Sequence, residues 1–450
     1  MPPQIALTLC TALILWLFIR DRKLRPLTSW PLLIVLIWFV IIGSRPVSFW
    51  FSAGIHIQTP DDYLEGSPFD RILFLFLIVL GLFVLLRRKT DCVRIIGSNR
   101  WVLVFFLYCG VSVIWSDYPF VGFKRWIKDI GNVIMVLILL TEKDPVQAVG
   151  ALLSRYTYFA IPLSVTLIKY FPNIGRYYNR WTWEPFYSGV TTEKNGLGCI
   201  ALVCGLYIVS DLIESFQKSG KRDLSDVFMR ALLLVMILWL MTVVNSSTAI
   251  ACFVLGAGIL FFMKFPMVNR QIKYLGTWSI VTLLLALLLY MVPDIRQLFV
   301  SVLQREMTLT GRTDLWTDLL SEQINPLIGV GYQSFWLGPV AQQYWEKYSF
   351  HPNQAHNGYL ELYLNGGIIA VFLLVAMMVS AGRRLKADLL AGKSFAIFCF
   401  SFLVVALVYN WTEAMFSKMT IVWFVLIMIA LYRGDIIEAG VGNSEPKRQG

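Results

Sequence analysis

Long apolar stretches follow one another through most of this chain, and they restrict its fold more than any other feature. A helix needs about 20 apolar residues to cross a bilayer, and several of these stretches are at or below that length. Only 15% of the residues are charged, whereas soluble domains contain about 25%. The sequence therefore predicts an all-α, polytopic integral membrane protein with about 12–13 transmembrane helices. The thirteen candidate segments lie at roughly 4–20, 29–44, 71–87, 101–115, 125–140, 149–170, 195–213, 229–245, 248–264, 274–292, 358–380, 394–411 and 418–433.

Basic residues are concentrated in alternate connections between these segments. Examples are RDRKLR after the first segment, RRKTDCVRIIGSNR after the third and AGRRLKADLLAGK after the eleventh. Cytoplasmic loops of membrane proteins carry an excess of Lys and Arg, so these loops are predicted to be cytoplasmic and the amino terminus to lie outside. The net charge of +11 follows from this bias, and no nucleic-acid partner is predicted.

The predicted organisation has four parts. Residues 1–292 form the N-terminal transmembrane helices with an outer loop at 171–196, and residues 293–357 form one large extracytoplasmic loop. C-terminal transmembrane helices follow at 358–433, and a cytoplasmic tail at 434–450. Loops as long as 293–357 are usually folded or functional, and the apolar spacing in TDLWTDLLSEQI predicts that this one is partly helical.

The stretch HNGYLELYLNGG joins the large loop to the next apolar segment. We predict a helix in which His356, Tyr359 and Tyr363 share one face, while Asn357 and Glu361 share the neighbouring face. Polar groups at the end of a membrane span are costly unless they face a wet cavity or the protein interior. An imidazole, with a pKa of about 6.5, can accept a proton from a sugar hydroxyl, so His356 is a catalytic candidate and Asn357 a substrate-binding one. The alternative is a structural or solvated histidine.

Arg312, in TGRTDLW, is the second catalytic candidate. A guanidinium group can hold pyrophosphate oxygens through two hydrogen bonds while negative charge develops on a leaving group. The alternative is a surface arginine paired with Asp314 or another nearby acid.

Several further polar residues are predicted on the outer side, where basic residues run against the charge bias. Together with neighbouring Trp and Tyr they could bind a lipid-linked phosphate and sugar rings, or they could be interface anchors and salt-bridge partners. The acid among them could also be a plain solvated carboxylate. These substrate-binding candidates are Arg125, Lys128, Arg176, Arg180, Lys194, Asn195 and Glu413.

Four motifs give the chain a resemblance to a known family. WSDYPFVGFKRW precedes a span, TTEKNGLG begins another, GRTDLW with PLIGVGYQSF opens the large loop, and HNGYLELYLNGG closes it. In this order and on one predicted face of the membrane, they resemble the O-antigen ligase and polysaccharide polymerase superfamily. The resemblance covers residues 100–430. Within it, the amino-acid sequences of 111–145 and 171–196 are most similar to exopolysaccharide production proteins of the polymerase branch.

The resemblance implies a helical glycosyltransferase of the bacterial inner membrane, with its active site on the periplasmic face. It implies an undecaprenyl-pyrophosphate-linked glycan as donor and a sugar acceptor, with neither a metal nor another cofactor. His356 would activate or orient the acceptor hydroxyl, and Arg312 would bind pyrophosphate. Family members often carry another arginine at an earlier helix start, where this chain has Ser247, so Arg125, Arg176 or Arg180 is expected to substitute.

The alternatives differ in the acceptor and in the class of protein. A polymerase, which the sequence favours slightly, would use another lipid-linked repeat as acceptor, together with a possible chain-length regulator. A ligase would use lipid A core. A transporter or flippase for lipid-linked glycans should carry charges deep within its spans, and Arg155 is the main residue of that kind here. A non-catalytic scaffold of an export complex is the remaining alternative.

Overall fold

The computed structural model describes residues 1–25, 29–51, 67–88, 92–178, 184–217, 224–278 and 307–434. Short 3-10 turns lie at Ser112–Trp115 and Ile272–Tyr274, and the strands β1 (Arg176–Tyr178) and β2 (Pro185–Tyr187) form one antiparallel hairpin. The helices are α1 (Pro3–Leu24), α2 (Leu32–Ile42), α3 (Val47–Trp50), α4 (Pro68–Arg87), α5 (Cys92–Gly97), α6 (Arg100–Val111), α7 (Pro119–Leu140), α8 (Pro145–Tyr170), α9 (Pro172–Gly175), α10 (Lys194–Gln217), α11 (Leu224–Val244), α12 (Ser247–Phe262), α13 (Pro266–Asn269), α14 (Met307–Ser321), α15 (Gly338–Lys347), α16 (Gly358–Leu390), α17 (Ser394–Tyr409) and α18 (Ile421–Leu431).

The predicted class, an all-α polytopic membrane protein, is confirmed. In the described ranges six helices, α1, α4, α8, α10, α11 and α16, are long and apolar enough to cross a membrane. The apolar helices α2, α12, α17 and α18, and α6 with its 3-10 extension, are shorter. Most of the predicted segment 274–292 lies outside the described residues, so the count of 12–13 spans stays a prediction.

Helix starts follow from local sequence signals. Proline occupies an early position in α1, α4, α7 and α8, where its missing N–H costs no hydrogen bond. Side chains also cap helix starts: at α8 the Asp144 carboxylate accepts from the Gln147 N–H at 2.9 Å, and at α18 the Thr420 hydroxyl accepts from the Trp423 N–H at 3.3 Å. In a bilayer such partners matter more, because no water is present to satisfy the first N–H groups.

Helix α18 lies at the centre of the bundle. All eleven of its residues are buried, although the helix is too short to cross a membrane. It packs against α7, α16 and α17, and Phe424 contacts Phe39 of α2 with ring centroids 5.1 Å apart. A helix that is apolar on every side belongs in a core, and α18 supports the turn that precedes it.

Charged residues at the end of the bundle predicted to be cytoplasmic are paired. Arg155 donates to the buried Asp21 carboxylate at 2.8 Å, and Arg25 bonds the same carboxylate as well as Ser154 at 2.8 Å. Arg88 pairs with Glu142. Arg155, the charge predicted inside a span, is therefore neutralised by α1.

The large loop is docked onto a break in α16. Gly367 has φ 62° and ψ −168°, which interrupts the helical hydrogen bonds. A docking segment, residues 325–331, uses the freed groups: the Val330 N–H donates to the Leu364 carbonyl at 3.0 Å, and the Ile368 N–H donates to the Pro326 carbonyl at 2.9 Å. Helices α14 and α15 then pack over this segment through Leu315, Leu319 and Tyr344. The predicted partly helical loop is confirmed for the described residues 307–357.

Two predicted boundaries are wrong. Helix α7 begins at Pro119 rather than 125, because a polar first turn with proline is a good helix start outside the apolar core. Helix α16 continues to Leu390 rather than 380, because its basic extension is amphipathic and buries Ala381, Leu385 and Leu389.

Candidate active site

The predicted helical face containing His356 is wrong, because α16 begins at Gly358 and His356 lies in the loop before it. His356 has φ 49°, in the left-handed region. Asn357 is the N-cap: its side-chain oxygen accepts from the N–H groups of Tyr359 and Leu360, both at 3.0 Å. The imidazole is therefore placed by a strained turn and not by helical periodicity.

The turn between α17 and α18, residues 410–420, faces His356. Asn410 holds its shape, since the side-chain oxygen accepts from the Met415 N–H at 2.9 Å and the Phe416 N–H at 3.1 Å. The carbonyl of Asn410 also accepts from the Gly358 N–H at 2.8 Å. A Cβ on residue 358 would overlap the Asn410 side chain, so glycine permits this close approach.

Glu413 lies at the centre of the site. Its Oε1 accepts from the Asn195 amide at 3.1 Å and lies 3.4 Å from Arg312 Nη2, while its Oε2 lies 3.8 Å from His356 Nδ1. Arg312 also donates to the Thr412 carbonyl at 2.8 Å. The carboxylate is 4% exposed, the guanidinium 12% and the imidazole 18%. Four of the predicted residues thus form one partly buried cluster, the His356 cluster: Asn195, Arg312, His356 and Glu413.

The contacts within the His356 cluster are loose. The separation between Glu413 Oε2 and His356 Nδ1 is longer than a hydrogen bond, and within the described residues neither buried atom has a hydrogen-bond partner. A movement of less than about 1 Å would close this gap to hydrogen-bond length. The ion pair with Arg312 is also long, so Glu413 can be drawn toward either neighbour.

A polar chamber of about 290 Å³ adjoins the cluster. Its wall includes Glu193, Gln354, Ala414 and Lys418. Glu193 faces the chamber, and its enclosure by neighbouring protein and then the charge of Glu413 raise its carboxyl pKa, while His356 and Lys418 act in the opposite direction. The Lys418 ammonium donates to Gln354 at 3.2 Å and lies 3.4 Å from Glu361. The chamber therefore presents both charge signs together with hydrogen-bond donors and acceptors.

The other predicted binding residues lie apart from the His356 cluster. Arg125 and Lys128 line a further cavity of about 290 Å³, which shares Lys418 with the polar chamber. Arg176 donates to the Ile168 carbonyl at 2.7 Å, and its guanidinium lies 5.6 Å from the Tyr187 ring centroid. Lys194 lies 5.1 Å from the Phe186 ring centroid, so both residues pack on the hairpin. Arg180 lies outside the described residues.

The start of α12, where Ser247 replaces a family arginine, lies beside the cluster. Thr248 and Thr412 are joined by a hydroxyl hydrogen bond of 3.0 Å, next to the carbonyl that holds Arg312. Of the expected substitutes, Arg125 hydrogen-bonds the Gln333 carbonyl, and Arg176 is held at the hairpin.

Several residues that build this site are not among the predicted candidates. Asn410 and Lys418 stand within NWTEAMFSKMT, from which only Glu413 was selected, and Glu193 stands in TTEKNG beside the selected Lys194 and Asn195. Their signal was proximity in sequence to a chosen residue at the same outer end. Glu361 was noted for its helical position, but its carboxylate instead accepts from the Trp336 indole at 3.0 Å and the Ala355 N–H at 2.7 Å.

Chemically, the cluster combines a proton acceptor, a cation and a carboxylate that contacts both. If the imidazole N–H at Nδ1 faces Glu413, Nε2 is the nitrogen left to accept a proton. Arg312 can bind an anion in competition with Glu413. Across the described ranges, no group of three or more His, Cys, Asp or Glu side chains is arranged to hold a metal ion.

Two comparisons with known proteins bear on this arrangement. A family model described as O-Antigen ligase matches residues 231–375, a range that includes Arg312 and His356. The chain is also 22% identical over 295 residues to the exopolysaccharide production protein ExoQ of Rhizobium meliloti (strain 1021). That match covers 63% of this chain and 65% of the relative, slightly less than two thirds of its length. These matches make this multi-pass helical membrane protein similar to the O-antigen ligase/polysaccharide polymerase superfamily.

Proposed function

We propose that the protein is a membrane glycosyltransferase that moves a glycan from an undecaprenyl-pyrophosphate donor to a sugar hydroxyl during surface polysaccharide assembly. The observation that carries the proposal is Glu413, whose two carboxylate oxygens face Arg312 and His356. A base and an anion-binding cation stand on either side of one acid, at the mouth of a polar chamber. The reaction needs these two groups, one for the acceptor proton and one for the leaving diphosphate.

The donor is bound first in the proposed sequence. Its diphosphate pairs with the Arg312 guanidinium and displaces Glu413 from a weak ion pair 3.4 Å long. The released carboxylate then moves the short distance to His356 Nδ1. Donor binding thereby orients the imidazole, with Nε2 toward the chamber.

Transfer follows as one displacement at the anomeric carbon. The acceptor oxygen forms the new C–O bond while its proton passes to His356 Nε2. The bond between the anomeric carbon and the phosphate oxygen breaks, and its electron pair stays on the lipid diphosphate. Glu413 stabilises the imidazolium and Arg312 the diphosphate, so both developing charges have a fixed partner.

The polymerase reaction is preferred within this proposal. The similar protein ExoQ is named as an exopolysaccharide production protein. Exopolysaccharides are not attached to lipid A core, so their assembly needs no such acceptor. A lipid-linked repeat is then the acceptor, and the site lies on the periplasmic face of the bacterial inner membrane. A chain-length regulator is compatible with the same reaction. The proposed chemistry uses no metal.

The first test replaces His356 by asparagine in the producing strain. Asparagine tolerates the left-handed backbone of residue 356 but cannot accept the proton, so polymer formation should fall by about 10²- to 10⁴-fold while the protein level stays normal. Surface polysaccharide, lipid-linked intermediates and an immunoblot are the measurements.

His351→Asn is the matched control. His351 also has a left-handed φ of 46° and lies in the same loop, but it is exposed and stacks on Trp345 with ring centroids 4.9 Å apart. This variant should make normal polymer. Accumulation of single lipid-linked repeats in the His356 variant indicates a polymerase, and accumulation of finished chains indicates a ligase. Polymer of normal amount and length in that variant would show that His356 is not the base.

A further inference from the structure

A second strongly basic cavity lies at the same end of the bundle as the His356 cluster. This basic cavity has a volume of about 280 Å³ and lies between the end of α2, the start of α4 and the first half of α7. Four cations line it, together with the single acid Asp70: Arg71, Lys124, Arg125 and Lys128.

Asp70 can offset only one of these four positive charges, and its carboxylate also has a structural role. One oxygen accepts from the Ser48 N–H at 3.0 Å and the other from the Ser48 hydroxyl at 2.6 Å, which ties α4 to α3. The Nε of Arg71 is buried and has no hydrogen-bond partner among the described residues. The wall of the basic cavity thus carries more donors and positive charge than its own residues neutralise.

The surroundings make this excess costly. Phe74, Val121 and Met419 form apolar parts of the wall, and the Lys128 ammonium lies 5.6 Å from the Phe74 ring centroid. Like charges repel more strongly beside apolar walls than in water, because the local dielectric is lower. An anion between the four cations would remove the repulsion and satisfy the donors.

The neighbouring surface indicates that such an anion is carried by a lipid. Helix α4 continues away from the basic cavity with exposed apolar residues, among them Ile72 at 69% and Leu75 at 57%. It is one of the helices suited to cross a membrane, and most of it is not covered by protein. A hydrocarbon chain attached to a phosphate in the basic cavity would therefore lie along α4.

The cavities also connect this site to the proposed chemistry. The basic cavity shares Ile42 and Ser44 with the polar chamber beside Glu413. It shares Arg125 and Lys128 with the cavity that reaches Lys418. The basic cavity therefore adjoins both of the other cavities.

We propose that the basic cavity binds a lipid-borne phosphate or diphosphate group, at a site separate from the donor diphosphate at Arg312. In the transferase this lipid is the acceptor, a second lipid-linked glycan whose sugar extends through the polar chamber. The assignment to the acceptor rests on the proposed function, but the phosphate site itself does not. The other source with the same chemistry is an anionic phospholipid of the bilayer.

The test counts bound lipid on the purified full-length protein in detergent. The probe is radiolabelled undecaprenyl diphosphate, and the expected stoichiometry is two molecules for each wild-type chain. The double variant Lys124→Gln/Lys128→Gln removes two charges from the basic cavity and should bind this second molecule about tenfold or more weakly. Arg312→Gln should lose the other molecule.

Two control variants keep the result interpretable. Lys169→Gln/Lys347→Gln removes the same number of charges from positions outside the cavities, where Lys169 lies over Trp239 and Lys347 pairs with Asp318. It should bind two molecules. Lys124→Arg/Lys128→Arg keeps the charge and should also bind two, which separates loss of charge from loss of packing.

The outcomes distinguish the two proposals. If Lys124→Gln/Lys128→Gln binds as much lipid diphosphate as wild type, the basic cavity is not a phosphate site and this inference is overturned. If Arg312→Gln keeps both molecules while the lysine variant loses one, the phosphate site stands and the proposed donor site fails. Competition with excess phosphatidylglycerol identifies which lipid the basic cavity binds. If phosphatidylglycerol displaces the second molecule, the site binds bilayer phospholipid; if the second molecule stays bound, the site binds the lipid-linked acceptor.

Discussion

Glu413 shows how a single residue can couple two steps of a reaction. Its carboxylate lies between a cation and a base, and neither contact is short: 3.4 Å to Arg312 and 3.8 Å to His356. A diphosphate that binds Arg312 competes with Glu413, and the freed acid then supports the imidazole. Binding and turnover should therefore respond to Glu413 in opposite directions.

Replacing Glu413 by glutamine should separate these two effects. Arg312 loses its anionic competitor, so binding of undecaprenyl diphosphate should tighten by up to about fivefold. The imidazolium loses its charged partner, so the transfer rate should fall by about tenfold or more. Binding and single-turnover transfer, measured on the same purified variant, check both directions.

Glu346→Gln is the control, because Glu346 is an exposed acid of α15 whose contact is with Gln342. It should leave both quantities unchanged. Weaker lipid binding by the Glu413 variant would contradict the competition between Glu413 and diphosphate.

At the level of elements, the break in α16 determines where the large loop lies. The break at Gly367 leaves carbonyl and N–H groups of α16 without partners in the helix. The docking segment forms hydrogen bonds with them through its own N–H and carbonyl groups. The side chain of Asn365 extends the contact by accepting from the N–H groups of Ser334 at 2.8 Å and Phe335 at 3.1 Å. This anchoring orients the loop that carries Arg312 at one end and His356 at the other.

Gly367→Ala should release the docking segment. Its φ and ψ lie in a region open essentially to glycine, and a Cβ would overlap the Leu327 carbonyl. We expect a loss of about 2 kcal/mol or more in the free energy of unfolding, and faster protease cleavage within 322–337. Limited proteolysis and thermal unfolding in detergent measure these changes.

Gly382→Ala in the same helix is the matched control. Gly382 is helical and a Cβ there meets no neighbouring atom, so alanine should be neutral or slightly stabilising. Equal protease resistance of the Gly367 variant and the wild-type protein would argue against the docking role of the break.

For the whole molecule, Asp129 joins separate parts of the outer end. It is buried in α7, and its carboxylate accepts from Tyr332 after the docking segment at 2.8 Å and from Trp423 of α18 at 2.9 Å. Ser417, in the turn that carries Glu413, donates to it at 3.3 Å. Loop, turn and bundle therefore meet at one buried acid.

Asp129→Leu should destabilise the protein by about 3 kcal/mol or more, because it leaves several buried donors without an acceptor. Six of the seven cysteines are buried free thiols, so a thiol-reactive dye can report unfolding with temperature. Asp117→Asn, at an exposed acid before α7, is the control and should unfold like the wild type. An unchanged unfolding temperature for the Asp129 variant would show that this network is not a structural junction.

Much of this architecture could be predicted from sequence because hydrophobic length and charge asymmetry are local properties. Twelve of the thirteen predicted segments coincide with helices among the described residues, although α7 and α16 extend beyond their segments. The apolar spacing in TDLWTDLLSEQI predicted α14, in which Leu315 and Leu319 are buried, yet Leu320 of the same pattern is 66% exposed. Local pattern gives the helix, but the neighbouring element decides which residues are covered.

The sequence by itself determined which polar residues flank the apolar segments, and from them it predicted His356, Arg312, Asn195 and Glu413 as site candidates. Tertiary structure decided that Glu413 lies between the two catalytic candidates, that Asn357 caps a helix, and that Arg125 and Lys128 face a separate cavity. These outcomes depend on the turn shaped by Asn410 and on the loop docked at Gly367, which are contacts between residues far apart in the chain. No local periodicity encodes such contacts, because they form only when the bundle packs.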